Sequence, residues 1–592
     1  MSLEPLQTLT QTAIACLVEE DMYEVTIELF SNTLSTYQKF FNEADLDLLF
    51  NLLNSPWSQG KYTQLVQGDF SFDLIQYGQL MIAFGDARVE VLLKSNDTLS
   101  RQFFDALEGF LSAEGYAVAE DQIFIPALEF WNTFVEFLID TLYSEGDDPL
   151  ASPSSSPSLP TTTPKQHVSQ TEWFIAGRAV IIRVIQRCLQ KIQFPPSSEF
   201  DTWDSIDKAG FNEARMEVVD LLQASYTLTG MELFSMLADT TLQSLATKSW
   251  SELEASLFCL GGLVDSIPED DASDVILEQV ISSALFTTLS DPSSGAPPRA
   301  RQATLSLIGK YDDFFKKHTQ YLPQALTFLF QAITVPHLAA TASKSILSLC
   351  GSCRHSLTKE LDAFVQQYNA LMALQGVDGL VKERVVGAIA AIIQAIPEQE
   401  AKQAPLISLL QAVDTDLQRC LSLASSGNAE DAEAAGQEVL RCIVAVAKGM
   451  QVPADTPLDV DNNKLQVDDS YWIHGPGAAI QQHVRSIIDR LMGVFPRSSE
   501  VVDLSCSIFR AGFTELVPGP FVFPSEAVVE FITRFDPRNP RLVPVISTAC
   551  CFVSAHSTKI SPEVVNDLER VTAWVITVLQ TLQGMYPLRP PF

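Results

Sequence analysis

The stretch that decides the fold runs from Pro298 to Leu357 and reads PRARQATLSLIGKYDDFFKKHTQYLPQALTFLFQAITVPHLAATASKSILSLCGSCRHSL. Its apolar residues recur at helical spacing, with short breaks between the runs. The pattern predicts three helices, over 299–318, from Gln320 to Ile333 and over 338–357. Each predicted helix has too wide an apolar face to be stable alone in water, so neighbouring helices must stack on it and bury it.

The same spacing continues along most of the chain, whereas strand-like alternation is rare. One clear stripe consists of Leu128, Trp131, Val135, Leu138, Ile139 and Leu142. Breaks that contain proline separate such stripes, at Phe194-Pro-Pro-Ser, Ile267-Pro-Glu-Asp-Asp, Asp291-Pro-Ser-Ser-Gly, Tyr321-Leu-Pro, Val335-Pro-His and Ile396-Pro-Glu. Two helices in each stretch of roughly 40 to 47 residues are typical of HEAT and armadillo repeats. The sequence therefore predicts an all-α, HEAT/armadillo-like α-solenoid superhelix.

Two polar segments interrupt the helical pattern. Residues 145–168 are rich in Ser, Pro and Thr and cannot bury enough apolar surface to order, so we expect a disordered insertion. Residues 451–470 are polar and acidic, and we expect a long loop there. The predicted organisation is helical repeats over 1–144, the insertion over 145–168, helical repeats over 169–450, the acidic loop over 451–470 and C-terminal helical repeats over 471–592.

Charge and composition exclude several classes of protein. Among 592 residues, 38 Lys and Arg stand against 73 Asp and Glu, which gives a formal net charge of −35. Direct binding of nucleic acid through a basic stripe is excluded, because phosphate binding is driven by Lys and Arg. Hydrophobic residues make up 46% of the chain, which is too many for a disordered acidic tail.

The cysteines and the apolar runs indicate a soluble intracellular protein. Ten cysteines are scattered without the spacing of a disulfide framework, which is typical of reduced core residues. The longest apolar run, from Val385 to Ile396, is too short for the ~20 residues of a membrane-spanning helix. The first residues have no secretion or import signal. We therefore predict no membrane contact.

No reaction motif is recognisable, and we predict that the protein is not an enzyme and holds no cofactor or metal. The sequence has no phosphate loop, dinucleotide fingerprint, HExxH motif or nucleophile elbow. Cys350-Gly-Ser-Cys353 could be half of a zinc site, but no second ligand pair is spaced for it. A redox motif would follow a strand, whereas this one ends a helix that begins near Leu338. We therefore interpret both cysteines as helix-packing residues.

Acidic residues gather in several clusters. The members are Glu269, Asp270, Asp271 and Asp274; Glu398 and Glu400; Glu430, Asp431 and Glu433; and Asp455, Asp459, Asp461, Asp468 and Asp469. Each cluster alone is best explained as a solvated loop. Together they produce a negative field that would attract basic proteins, so acidic side chains of inner helices are the candidates for partner binding.

Three stretches carry a resemblance to a known family. Residues 193–237 read QFPPSSEFDTWDSIDKAGFNEARMEVVDLLQASYTLTGMELFSML, with Phe211 and Arg215 ahead of a Val-x-Asp and a final Gly-x-Glu-Leu. LEFWNTFVEFL at 128–138 and WSELEASLFCLGGLVDSI at 250–267 accompany it. In this order, the stretches resemble the importin-13/transportin-3 branch of the importin-β (karyopherin-β) family. The resemblance covers roughly residues 120–520, and it includes the family's own Cys-x-x-Cys helix.

This resemblance implies a nuclear transport receptor. Such receptors are superhelices of HEAT repeats that carry protein cargo through the nuclear pore, contact phenylalanine-glycine nucleoporins and are controlled by Ran GTPase. The negative charge of the chain favours basic protein as the cargo, and the resemblance implies a location in the nucleus and the cytoplasm. The recognisable part begins well inside the family's architecture, so the chain resembles a receptor that lacks its N-terminal part, where the main Ran-binding surface lies. The alternative is a non-transport α-solenoid scaffold protein.

One residue-level comparison concerns cargo. Residues 501–516, VVDLSCSIFRAGFTEL, resemble the transportin-3 helix that displays a row of arginines toward phosphorylated Arg-Ser-rich cargo. Arg510 alone matches that row, and Leu504, Ser507 and Thr514 occupy the other positions. One arginine cannot reproduce a multi-arginine phosphate clamp, so import of splicing factors is not expected.

Overall fold

The structure is a computed structural model that describes residues 4–37, 40–144, 169, 171–372, 376–453, 470–515, 518–539, 541–557 and 562–585. Within these ranges the chain is helical and forms no strand, apart from one isolated bridge between Ala117 and Asp121. The all-α prediction is confirmed. The predicted insertion over 145–168 and most of the predicted loop over 451–470 lie outside the described residues, so the predicted segment boundaries stay predictions.

The chain divides into two compact units between Leu307 and Ile308. The helices of the first unit are α1 (Glu4–Cys16), α2 (Tyr23–Thr36), α3 (Glu43–Leu53), α4 (Pro56–Val66), α5 (Phe72–Ser95), α6 (Thr98–Phe110), α7 (Phe124–Ser144), α8 (Glu172–Lys191), α9 (Ser197–Phe200), α10 (Ser205–Thr229), α11 (Met231–Thr247), α12 (Trp250–Gly262), α13 (Asp271–Ile281) and α14 (Leu285–Ser290). The next helix, α15 (Pro298–Lys310), continues across the division.

The helices of the first unit stack in two rows. In one row α2 contacts α5, α5 contacts α7 and α7 contacts α10; in the other, α4 contacts α6 and α6 contacts α8. Successive helices such as α5 and α6 pair across the rows. The stripe predicted on α7 faces this packing, since Leu128, Trp131 and Leu138 have no exposed surface. Each helix buries its apolar face against its neighbours, as in an α-solenoid.

The second unit repeats this arrangement. Its helices are α16 (Asp312–Lys317), α17 (Leu322–Ile333), α18 (Pro336–Ser352), α19 (Leu361–Met372), α20 (Gly379–Gln394), α21 (Gln399–Ser425), α22 (Ala429–Gly449), α23 (Ser470–Ile473), α24 (Ala478–Val494), α25 (Ser499–Ala511), α26 (Ser525–Thr533), α27 (Val543–His556) and α28 (Pro562–Met585). In one row α18 contacts α20, α20 contacts α22, α22 contacts α25 and α25 contacts α27. In the other row α21 contacts α24, and α26 contacts α28.

Prolines and capping side chains determine where many helices begin. Pro323 and Pro336 lie in the first turns of α17 and α18, where the missing N–H would have had no helical partner. Asp270 accepts a hydrogen bond from the backbone N–H of Ser273 at 2.9 Å at the start of α13. These features end each stripe locally, and every predicted proline break falls between two helices or at the first turn of the second one.

The helix predicted over 299–318 is wrong in one respect, because the chain breaks at Tyr311 between α15 and α16. Gly309 weakens the end of α15, and the Asp312-Asp313 pair favours a new N-terminus. The Asp312 carboxylate also accepts hydrogen bonds from the hydroxyls of Ser348 and Ser352 on α18, at 2.6 and 2.8 Å. The start of α16 is therefore held by α18. The third predicted helix ends at Ser352, five residues early.

The longest apolar run of the sequence lies in α20, packed between α18 and α22. Small residues let α20 and α22 approach closely: a Cβ on Gly449 would lie 2.5 Å from the carbonyl oxygen of Gly387 and 2.8 Å from the Cβ of Ala390. The run is thus a helix buried on most sides. None of the described helices combines the length and the apolarity that a bilayer crossing requires.

We predict that Gly449→Ala lowers the unfolding midpoint of the second unit. The new methyl group would meet the backbone of α20 and push the two helices apart, at a cost of about 1–3 kcal/mol. Gly351→Ala in α18 is the matched control, since a Cβ there meets nothing within 4 Å. Alanine at that position should be neutral or stabilising by up to ~1 kcal/mol. Urea unfolding followed by circular dichroism would measure both, and equal midpoints would contradict the backbone contact.

Candidate functional site

Arg215 of α10, one of the residues that carry the family resemblance, is buried in the first unit. Its guanidinium donates hydrogen bonds to the Glu254 carboxylate of α12 at 2.7 Å and to the backbone carbonyl of Ile192. The same group lies 4.2 Å from the ring centres of both Phe194 and Phe258. A buried arginine is tolerated because a carboxylate, a carbonyl and two aromatic faces replace its water.

The other motif residues complete this cluster. Arg299 of α15 stacks on Phe194 and Phe200, 3.8 and 4.1 Å from their ring centres. Trp203 packs against Phe200 and Phe211 at centroid distances of 5.1 and 5.6 Å. The side chains of the motif therefore pack α8, α9, α10, α12 and α15 against one another. Its role is structural, and the candidate binding surface must lie elsewhere.

Carboxylates from three stacked helices form what we call the acidic band. Its members are Asp86 of α5, Glu129 of α7, and Glu213, Glu217 and Asp220 of α10. The members on α10 are spaced by four and three residues, so they share one face of the helix. The electrostatic influence of Glu129 reaches both Asp86 and Glu217, which links the three helices of one row.

Burial and like charge disfavour ionisation within the acidic band. Burial, and then the neighbouring Glu129 carboxylate, raise the pKa of Asp86 to about 6. The pKa of Glu217 is raised by partial burial and by the carboxylates of Glu129, Asp220 and Glu213. The Oδ1 atom of Asp86 is buried without a hydrogen-bond partner. The band is thus maintained at a cost in stability, which is more typical of a functional surface than of a solvated loop.

Several arginines of the first unit pair with carboxylates on the other row of helices. Arg183 of α8 contacts Asp105 and Glu108 of α6 at 3.0 and 2.9 Å. Arg187 also reaches Glu108, and Arg178 reaches Glu232 of α11 at 3.3 Å. By contrast, no lysine or arginine within the described ranges forms an ion pair with a member of the acidic band. The band therefore presents negative charge that the fold does not neutralise.

The acidic clusters predicted from the sequence occupy helix starts instead. Asp270 caps α13, with Asp271 and Asp274 in its first turn. Glu398 precedes α21, and Glu430 and Asp431 lie in the first turn of α22. Carboxylates at these positions stabilise the positive end of the helix dipole, which favours the structural interpretation. The cluster of Asp455, Asp459, Asp461, Asp468 and Asp469 lies outside the described residues.

Cys350 and Cys353 lie in the core, with 0% and 2% of their surface exposed. Burial raises the pKa of Cys350 well above the usual thiol value and that of Cys353 to about 12, so both thiols stay protonated. This placement agrees with their interpretation as packing residues. Cys550 and Cys551 differ from the prediction of core cysteines, because both are exposed on α27. Among the described residues, no group of three or more His, Cys, Asp or Glu could hold a metal ion.

Arg510, which alone matches the arginine row of transportin-3, lies on α25. Its guanidinium contacts Asp503 at 3.4 Å and donates hydrogen bonds to the hydroxyls of Ser507 and Ser547. Two of its partners lie on its own helix and the third on α27. Its donors are largely engaged within the fold, which supports the expectation that it forms no phosphate clamp.

Comparison with known proteins gives the same resemblance as the sequence motifs. The family model for the transportin-3/importin-13 third TPR domain matches residues 279–367, which include the stretch that decides the fold. The importin beta-like protein kap111 of Schizosaccharomyces pombe is 23% identical over 565 residues, covering 94% of this chain and 54% of that protein. Rat importin-13 is 23% identical over 555 residues, covering 87% of this chain and 50% of that protein.

Two solved structures share the fold. A structure of importin-13 in its cytosolic state superposes with a TM-score of 0.76 and 14% identity, over 99% of this chain and 64% of that one. A structure of importin β gives a TM-score of 0.60 at 13% identity, over 99% and 61% of the two chains. The architecture is therefore that of the importin-β-like HEAT solenoids. Within that class, the chain is most usefully compared with the importin-13/transportin-3 branch of the importin-β family, whose third-domain model and whose members kap111 and importin-13 it resembles. It spans about half the length of the curated relatives it matches.

We predict that Asp86→Asn stabilises the first unit in a pH-dependent way. The folded state keeps the Asp86 proton up to pH about 6, whereas the unfolded chain releases it near pH ~3.9. The native carboxylate therefore lowers stability progressively as pH rises between these values, and fully above them.

The variant should raise the thermal midpoint at pH 7.5 by about 2–4 °C, after allowance for partial solvent exposure, and should change it little near pH 4. Calorimetry at the two pH values measures this difference. Glu136→Gln, an exposed carboxylate of α7 outside the band, is the matched control and should behave alike at both. A gain that did not depend on pH would rule out the ionisation penalty.

Proposed function

We propose that this protein is a nuclear transport receptor that carries protein cargo through the nuclear pore under the control of Ran GTPase. Similarity to importin-13 and kap111, the match of residues 279–367 to the transportin-3/importin-13 model and the stacked-helix fold support this proposal. The protein would shuttle between the nucleus and the cytoplasm. Its action would need binding and release only, with no catalytic step.

The acidic band is the observation that supports basic protein cargo. Five carboxylates from α5, α7 and α10 lie along one row, and no lysine or arginine in the part of the chain that the structure describes forms an ion pair with them. A basic partner would replace the missing counter-charge and relieve the mutual repulsion. Exposed charges of this kind chiefly raise the association rate and select the partner by sign.

Charge reversal in the band tests this assignment. Glu129→Lys combined with Glu217→Lys should weaken binding of a fluorescein-labelled, lysine-rich peptide about tenfold or more at low salt, with a smaller effect at high salt. Glu172→Lys combined with Asp239→Lys changes the net charge equally but lies on α8 and α11, outside the band. Fluorescence anisotropy would compare the pairs. Equal losses in both would show that only the total charge matters.

Ran and nucleoporin binding test the transport proposal itself. The chain fused to the N-terminal repeats of importin-13, incubated with GTP-locked Ran and with immobilised phenylalanine-glycine repeats, should be retained by both, and its Ran-bound form should release a bound cargo. Ran loaded with GDP is the control and should leave the cargo complex intact. Retention by neither ligand, together with a stable complex insensitive to Ran, would favour the alternative of a non-transport scaffold.

A further inference from the structure

A second charged surface, of the opposite sign, lies in the second unit. Two adjoining depressions of about 480 and 220 Å³ border α24 and α26, and they share Arg485 and Asp489. Arg490 lines the first depression, and Glu530 and Arg534 line the second. We call this surface the arginine trough. It brings three guanidinium groups together in a chain of strongly negative net charge.

Two of the three arginines form crossed ion pairs between α24 and α26. Arg485 of α24 contacts Glu530 of α26 at 3.0 Å, and Arg534, directly after α26, contacts Asp489 of α24 at 2.6 Å. All four side chains are at least a third exposed, so each pair is reached by solvent and can be exchanged for another carboxylate. The existing pairs therefore show that the guanidinium groups of the trough can bind carboxylates.

The remaining arginine has no such partner. Arg490 is exposed and, within the ranges that the structure describes, makes no ion pair or hydrogen bond with a carboxylate. Nearby, the Arg534 guanidinium lies 4.5 Å from the ring centre of Phe531, which fixes its plane. A planar, fixed guanidinium beside an unpaired one suits bidentate binding of carboxylates.

The local charge balance permits an anionic ligand despite the net charge of the chain. The charged side chains that line the two depressions are three arginines (485, 490 and 534) and two carboxylates (489 and 530), so their balance is 3 − 2 = +1. The chain as a whole carries −35. Because salt screens charge beyond about 10 Å, a ligand in the trough experiences mainly this local balance.

We propose that the arginine trough binds an acidic peptide segment of a partner protein. Its members on α24 extend from Gln482 to Arg490, which is about 12 Å along a helix and matches about four residues of extended peptide. The charged members of the trough lie outside the helix that resembles the cargo helix of transportin-3, which contributes only Phe509 to the lining. That helix, α25, belongs to the row of α22 and α27, whereas α24 belongs to the row of α21.

The proposal can be tested without cargo, Ran or the acidic band, so its failure is distinguishable from failure of the proposed function. The probe is a fluorescein-labelled peptide with four consecutive glutamates, compared with the same peptide carrying glutamines. We expect the glutamate peptide to bind the full chain and the glutamine peptide to bind at least fivefold more weakly.

Arg490→Ala should weaken binding of the glutamate peptide two- to fivefold, which is the range expected for an exposed ion pair. Arg485→Ala combined with Arg490→Ala should weaken this binding further. Arg497→Ala removes an exposed arginine outside the trough and should leave binding unchanged. Circular dichroism would confirm that the variants fold. Equal loss for Arg490→Ala and Arg497→Ala, or equal binding of both peptides, would overturn the proposal. Binding of a phosphoserine peptide alone would replace it by a phosphate site.

Discussion

The structure depends on one constraint: no helix of this chain can bury its own apolar face, so each must be covered by its neighbours in a row. This is visible at α7, whose stripe is buried between α5 and α10, and at α20, which lies between α18 and α22. Because burial is supplied by the nearest neighbours, a long chain can fold without one central core. Polar side chains are then free to collect wherever successive helices present the same face. The acidic band and the arginine trough both arise in this way, from residues distant in sequence that stacking aligns.

The sequence predicted the helices well because their signals are local. Apolar spacing, prolines at first turns and carboxylates at helix starts all act within a few residues, so the breaks fall where expected. The break at Tyr311 is not predictable from local signals alone, because a distant helix contributes to it. The hydroxyls of Ser348 and Ser352 on α18 donate hydrogen bonds to the Asp312 carboxylate at the start of α16. The same limit explains the candidate site. Those clusters of the sequence that the structure describes lie at helix starts. The acidic band instead unites positions 86, 129 and 213–220, which only the register of α5, α7 and α10 brings together.

Buried and exposed charges have different roles in the first unit. Arg215 and Glu254 are paired inside a cage of aromatic rings, and losing either would leave an uncompensated charge in the core. This accounts for the family motif in terms of folding. Asp86 and Glu217 are only partly buried and face other carboxylates, an arrangement that opposes stability. The buried pair holds neighbouring helices together. The repulsion between the partly buried carboxylates can be relieved by a positively charged binding partner.

The contact between Gly449 and Gly387 has a consequence for the mechanics of the second unit. Stacked helices bend against each other when side chains slide and change rotamer, as in other layered proteins. Where two backbones touch, no side chain lies between them to change rotamer, so we expect α20 and α22 to move together. Bending of this row would then occur where larger side chains separate the helices. One such place is the interface between α25 and α27, near Phe513 and Phe552. The position of two glycines thus determines where this part of the protein is stiff and where it can adapt to a bound molecule.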